Sequence, residues 1–366
     1  MLKILIICGT RPEIIKLAPV YHRLKNTSWA NPIWLHTGQH DEMAKNILEC
    51  FAITPDITLQ REGASLSEFS INLRAQIDRI LEQDNWDLTI IQGDTESAFI
   101  GALSSFYQRV PIAHIEAGLR TYDLNRPFPE EGLRQMITRI ATFNFAPTNS
   151  AADALLKEGI SPARICVTGN TVIDAQQWII HHHHIIPHKT DRKQLLITLH
   201  RRENWGIEIE HACLAIRDIA NSYPNIHTLF PVHLNPTVNE PIHQLLSGIP
   251  NIHLLPPLGY LEMQQAIADS WLILTDSGGI QEEAPTFSVP VLVLRTETER
   301  PEAINAGCAK IIGTSPEKIT GMIHSLLAND GLYKTMQATQ NPFGDGKASE
   351  RIVQFIHSQV PEYKEH

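Results

Sequence analysis

The chain alternates short apolar runs with amphipathic stretches along nearly its whole length, and that alternation leaves few folds open. Lys3–Cys8, Pro32–Thr37, Asp87–Gln92, Val110–Ile115 and Asn144–Pro147 have the length and composition of buried strands. Helical stretches lie between them. After Pro12, residues Ile14, Leu17, Ala18, Tyr21 and Leu24 fall on one side, and Leu66–Leu81 repeats its apolar residues at three- and four-residue steps. Asp41–Phe51, Thr95–Tyr107, Pro129–Ala141 and Ala151–Glu158 also read as helices. Such alternation predicts a parallel sheet wrapped by helices. A second series follows: Leu195–Leu199, Ile226–Pro231, Ile252–Leu255, Trp271–Leu274, Val289–Leu294 and Lys310–Gly313 as strands, with helices between them and at Pro316–Leu327 and Ser349–Ser358. The expected fold is α/β, two doubly wound domains with a cleft between them. Residues 1–170 and 171–346 are the expected domains, with the linker placed around 170–193.

The 366 residues suffice for two such cores. A net charge of −10 argues against non-specific nucleic-acid binding. The five cysteines are scattered and show no CxxC or Cys/His zinc spacing, which fits reduced thiols in a cytoplasm. The N-terminal apolar run is too short for a leader, and no run approaches the roughly 18 residues of a membrane span. His181–His184 invites a metal reading. Adjacent residues on a helix point in different directions, so a solvated helix end is expected and no metal site is assigned.

In open α/β sheets, ligands bind beyond the carboxyl ends of the strands. Those ends here carry Gly9-Thr10-Arg11, Gly38-Gln39-His40, Gly93-Asp94-Thr95, Glu116 to Arg120, His200 to Glu203, Val232-His233, Asp276 to Gly279 and Arg295-Thr296-Glu297. Nearly every one offers groups that bind an anion or move a proton. Asp276-Ser277-Gly278-Gly279 stands out because it joins an apolar run to a helix start, where backbone amides favour a diphosphate. A carboxylate one helical turn on would hold ribose hydroxyls. The GxGxxG pattern is missing, so a dinucleotide cofactor is not expected. Gly344-Asp345-Gly346-Lys347-Ala348 looks like the end of a P-loop but does not follow a strand, and reads as a loop before the last helix.

The chain resembles the bacterial non-hydrolysing UDP-N-acetylglucosamine 2-epimerases. The matching stretches are Gly9-Thr-Arg-Pro-Glu13 with Lys16, Gln39-His40, Gly93-Asp94-Thr95, His114 to Arg120, and Pro129-Glu130-Glu131 with Arg134. They continue through Thr168 to Thr171, His200 to Glu203, Pro231 to Pro236, Asp276 to Pro285, Thr298 to Glu302 and Asn341 to Gly346. The resemblance implies two Rossmann-like domains of GT-B-like form, with a C-terminal helix at about 347–360 packing back on the first. It implies reversible inversion at C2 between UDP-GlcNAc and UDP-ManNAc. The implied route eliminates UDP to a 2-acetamidoglucal and adds it back, with no redox cofactor.

By the same resemblance, Asp94, Glu116, Glu130 and His200 are the catalytic candidates. Arg11, Lys16, Arg134, His233, Ser277, Gly278, Gly279, Glu283 and Arg300 are the substrate-binding candidates. Gln39, Glu131 and Arg202, with His233 beside them, are candidates for an allosteric UDP-GlcNAc site. Met263 stands where several members carry a phenylalanine near the uracil. The implied setting is a cytoplasmic homodimer serving polysaccharide synthesis, without membrane or nucleic-acid partners. The competing readings are a UDP-sugar-dependent glycosyltransferase of the same fold, an epimerase of a related UDP-2-acetamido sugar, a sensor without activity, and a hydrolysing relative.

Overall fold

The computed structural model describes residues 1–39, 41–63, 65–188, 192–201 and 204–364. The chain divides into two units: Met1–Trp178 with the segment from Gly344 onward, and Ile179–Phe343.

The strands of the first unit are β1 (Leu2–Cys8), β2 (Ala30–His36), β3 (Ile57–Thr58), β4 (Leu88–Gln92), β5 (Ile112–Ile115), β6 (Phe143–Ala146) and β7 (Ile165–Val167). They pair in parallel in the order β3-β2-β1-β4-β5-β6-β7. The helices are α1 (Arg11–Lys25), α2 (Asp41–Cys50), α3 (Leu66–Glu82), α4 (Glu96–Tyr107), α5 (Glu130–Ile140), α6 (Asn149–Lys157) and α7 (Thr171–His183), whose residues from Ile179 on are counted with the second unit. Helix α3 shows why the periodicity works. Phe69, Leu73, Ile77 and Leu81 are buried, and Ser65 caps the start by accepting from the Glu68 amide at 3.2 Å. Their apolar face joins a core with Leu5, Ile7 and Ile91 of β1 and β4.

The second unit holds β8 (Lys193–Thr198), α8 (Ile207–Ser222), β9 (Ile226–Pro231), α9 (Pro236–Leu246), β10 (Ile252–Leu255), α10 (Tyr260–Ala268), β11 (Leu272–Thr275), α11 (Gly278–Glu283), β12 (Val291–Val293), α12 (Pro301–Asn305), β13 (Ala309–Ile311), α13 (Pro316–Ala328) and α14 (Asp330–Thr335). Its parallel sheet runs β10-β9-β8-β11-β12-β13. Both orders reverse beside the first strand of their unit. The reversal lies between β1 and β4 in one unit and between β8 and β11 in the other, where a crevice opens beyond the strand ends.

The α/β reading holds, with strand limits shifted by one or two residues. β3 and β7 were not foreseen: at two and three residues they are too short for a pattern and exist through pairing with β2 and β6. Within the expected linker, residues 171–183 form one helix. The last helix, α15 (Ala348–Lys364), lies within the first unit. Asp174 of α7 accepts from the Ala348 amide at 3.1 Å and the Ser349 amide at 2.8 Å, capping α15 from outside. Trp29 stacks on His357, and Phe355 meets Phe143 and Phe145 edge-on.

Candidate functional site

In the first unit, the ends of β1, β4 and β5 are tied into one polar cluster. Glu13 is 0 % exposed. Its Oε2 accepts from the Gly9 amide at 3.0 Å and the Thr10 amide at 2.8 Å, and its Oε1 accepts from Thr95 Oγ1 at 2.6 Å. The loops after β1 and β4 therefore share one carboxylate. Burial pushes that carboxyl up to about 7, against the lowering effect of its hydrogen bonds from Thr95, Thr10 and Gly9. Gly9 has to be glycine, because a Cβ there would collide with Thr37 and Ser97.

Glu116, directly after β5, receives Lys16 Nζ at 2.6 and 2.7 Å and also accepts from Gln92 Nε2. Lys16 and Glu116 are nearly buried as a pair. Glu116 holds φ at 64°, a conformation that costs a side-chain-bearing residue about 1–2 kcal/mol and persists because its carboxylate is held. Asp94, two residues after β4, accepts from Arg134 Nε at 3.0 Å and from the same guanidinium's terminal nitrogen. Asp94 and Glu116 thus stand at the ends of adjacent strands.

Helix α5 supplies the rest. Glu130 and Arg134 are four residues apart and share a face. Since Arg134 touches Asp94, Glu130 lies one helical turn from that contact. Glu130 Oε2 is buried without a hydrogen-bond partner. Glu131 behaves differently. It is 0 % exposed and accepts from the Thr121 and Tyr122 amides at 3.0 and 3.1 Å and from Gln135 at 2.8 Å. Burial alone would raise its carboxyl; the bonds from Gln135, Thr121 and Tyr122, with the Arg134 charge, outweigh burial and hold it below the usual range. Glu131 therefore pins the loop before α5. Gln39 accepts from Ser97 Oγ at 2.6 Å, and Arg11 is exposed at the first turn of α1. Arg120 is committed to structure: it binds Glu158 at 2.7 and 2.9 Å, Thr138 and the Leu119 carbonyl.

The second unit repeats the plan with different chemistry. Asp276, after β11, is 0 % exposed and accepts from the His200 amide at 3.1 Å, the Arg201 amide at 2.9 Å and Asn204 Nδ2 at 3.0 Å. It binds the loop after β8 to the loop after β11. His200 projects its ring outward, with Nδ1 3.2 Å from Asp276 and the side chain 46 % exposed. Ser277 precedes α11 and makes no side-chain cap hydrogen bond; its own amide donates to Thr275 Oγ1 at 2.9 Å. The helix start is thus left without a side-chain cap, as the first-turn amides of an anion-binding turn would be. Two guanidinium groups stand over Gly278, since a Cβ there would meet Arg300 at 3.7 Å and Arg201 at 3.8 Å. Arg300 is held by Glu282 and by the Glu299 carbonyl. Glu283 is 7 % exposed and accepts from Tyr260 Oη at 3.3 Å. His233 is exposed and accepts from the Asn235 amide at 3.1 Å.

The structure groups Lys16, Asp94, Glu116, Glu130 and Arg134 in one unit and His200, Ser277, Gly278, Gly279, Glu283 and Arg300 in the other. Arg202 lies outside the described residues. Among the described residues, no group of three or more His, Cys, Asp or Glu side chains could hold a metal ion, and no helix is long and apolar enough to cross a membrane. The sequence reading missed the structural roles of Glu13 and Asp276. For Glu13 a signal existed, since Thr10-Arg-Pro-Glu13 has the spacing of a helix-capping box.

A family model described as UDP-N-acetylglucosamine 2-epimerase matches residues 22–357. The UDP-N-acetylglucosamine 2-epimerase of Escherichia coli O157:H7 is 40 % identical over 372 residues, covering 97 % of this chain and 98 % of that one. The crystal structure of the Neisseria meningitidis UDP-GlcNAc 2-epimerase bound to UDP-GlcNAc superposes with a TM-score of 0.90 at 40 % identity, covering 98 % of this chain and 100 % of the other. The Methanocaldococcus jannaschii UDP-GlcNAc 2-epimerase in complex with UDP-GlcNAc and UDP gives a TM-score of 0.79 at 33 % identity, over 97 % and 99 % of the two chains.

Proposed function

The chain belongs to the UDP-N-acetylglucosamine 2-epimerase family, and from that premise we propose that it inverts C2 of UDP-GlcNAc by eliminating UDP and adding it back. The C2–H bond is not next to a carbonyl, so simple deprotonation is very slow. Elimination solves this without a redox step. A carboxylate takes the C2 proton, the freed electron pair forms the C1=C2 double bond, and the C1–O bond breaks with its electrons leaving on the β-phosphate. A 2-acetamidoglucal and UDP result. For the return, an acid delivers a proton to the opposite face of C2, and a UDP oxygen closes on C1 to give UDP-ManNAc.

The observation that carries this reading is the unequal treatment of the carboxylates in the first unit. Asp94 is neutralised by Arg134 and Glu116 by Lys16, while Glu130 keeps a buried oxygen with no partner. Proton delivery to two faces requires at least two acid/base groups in different states, and such an arrangement supplies them. A transferase would not need three carboxylates so placed. In the second unit, the Gly278 and Gly279 amides, the Ser277 hydroxyl, His200 and Arg300 stabilise the departing diphosphate, and Glu283 holds the ribose hydroxyls.

Incubation with UDP-GlcNAc in D2O, followed by NMR, tests the route. UDP-ManNAc carrying deuterium at C2 is the expected product. Retention of protium at C2 would exclude elimination, and release of free N-acetylmannosamine would place the chain with hydrolysing enzymes.

A further inference from the structure

Asp94 has three tethers, and two of them hold the residues either side of it. On one side, His114 Nε2 lies 2.7 Å from the Gly93 carbonyl. A carbonyl only accepts, so Nε2 carries the proton, and burial holds the ring neutral by pushing it down to about 4. On the other side, Thr95 Oγ1 donates to Glu13 Oε1 at 2.6 Å. The same hydroxyl accepts from the Ala98 amide at 3.0 Å, so its single hydrogen is committed to Glu13. Glu13 and His114 are both 0 % exposed.

These tethers close a ring with those of Glu116. Glu13 and Lys16 lie one turn apart on α1; the first holds the Asp94 turn and the second holds Glu116. His114 and Glu116 lie two residues apart at the end of β5; the first holds the Asp94 turn and the second is the other carboxylate. The Gly93 amide completes the ring by donating to the Ile115 carbonyl at 3.0 Å. Neither Glu13 nor His114 is assigned a share of the proton transfers.

Resting on the reading above that Asp94, Glu116 and Glu130 supply the acid/base groups, we propose that Glu13 and His114 are positioning residues that set the gap between the first two of these carboxylates. Proton transfer at one carbon from two sides is sensitive to that gap, and a misplacement of about 1 Å costs on the order of 100-fold in rate. The diphosphate and ribose contacts belong to the second unit, so substrate affinity is a separate quantity.

The test pairs a breaking with a restoring substitution at each tether. His114→Leu and Thr95→Val remove the hydrogen bonds; His114→Gln and Thr95→Ser keep a donor at each place. Turnover of UDP-GlcNAc is followed by NMR and UDP affinity by calorimetry. Each breaking variant is expected to lower kcat about 100-fold with KM and UDP affinity within about threefold. Each restoring variant is expected to regain about 10-fold. On an Asp94→Asn background, His114→Leu is expected to add little, because the two losses are one loss. Unchanged kcat in the breaking variants, equal losses in the restoring ones, or full additivity on the Asp94→Asn background would each overturn the proposal. If His114→Leu does not fold, the Thr95 pair decides by itself. Near-normal turnover of Asp94→Asn alone would defeat the acid/base reading and this proposal with it, and that single variant separates the two failures.

Discussion

The two units solve the same problem of topology in the same way and surround the solution with different residues. In each, a fully buried carboxylate bridges the two loops where strand order reverses: Glu13 joins the loops after β1 and β4, and Asp276 joins those after β8 and β11. What stands around the bridge differs. In the first unit, the cations are spent on carboxylates, as Lys16 on Glu116 and Arg134 on Asp94. In the second, α11 starts without a side-chain cap, and the His200 ring stands half-exposed beside Asp276. The bridge is therefore scaffold, and the two units differ in the residues placed around it.

The largest effect that would sharpen this division is a loss of chemistry without a loss of binding. Asp94→Asn removes a carboxylate from the first unit and leaves the second untouched. It is expected to lower kcat about 1,000-fold, with UDP affinity changed less than about twofold. A parallel collapse of UDP affinity, measured by calorimetry, would mean that the two roles are not divided between the units.

A second test concerns the titration of the first unit's scaffold. Glu13 is raised from 4.5 to about 7, so its contribution to stability is present below 4.5 and is lost as pH rises through 7. His114 is lowered from 6.5 to about 4, so its contribution is present above 6.5 and is lost as pH falls through 4. Each shift corresponds to about 3 kcal/mol, and between 4.5 and 6.5 the two oppose each other. Removing either residue unmasks the other. In urea titrations compared with the parent chain, His114→Gln is expected to lose stability as pH rises through this window, and Glu13→Gln to gain it. Slopes of the same sign would show that the two groups do not titrate as their burial implies.

Much of this was legible in the sequence, for identifiable reasons. Helix α3 announced itself because seventeen residues repeat one apolar face. The strand ends announced the sites because polar residues cannot follow a buried run by accident so often. Arg120 misled the reading. At a strand end it looks like an anion binder, but its guanidinium is turned into Glu158, 38 residues along the chain and outside any local pattern. Glu131 shows the same limit. The resemblance offers it as a candidate for the allosteric site, and only the fold reveals that its carboxylate accepts from two backbone amides. Side-chain direction depends on partners distant in the chain, and no window of sequence contains them.

The comparison also predicts a smaller effect at Glu283, which has no counterpart in the first unit. Glu283→Ala removes a buried carboxylate that accepts from Tyr260. It is expected to weaken UDP binding about 30-fold, the range of a hydrogen bond to a charged group. A uridine diphosphate lacking both ribose hydroxyls should bind parent and variant alike. If the loss persists with that analogue, Glu283 shapes the pocket rather than holding the ribose.

The smallest effects separate two helix caps that look alike in sequence. Thr148 precedes α6 and accepts from the Ala151 amide at 3.2 Å, which is an ordinary cap. Ser277 precedes α11 and makes no such bond, so its hydroxyl contributes nothing to the helix start in the free protein. Thr148→Ala should therefore cost about 1 kcal/mol of stability and leave UDP binding alone. Ser277→Ala should leave stability nearly unchanged and weaken UDP binding about fivefold, the worth of one neutral hydrogen bond. A cap whose removal destabilises the protein is serving its helix; one whose removal is felt only when UDP is added has been kept for the ligand. Equal losses of stability in the two variants would erase that distinction and return the Ser277 turn to scaffold.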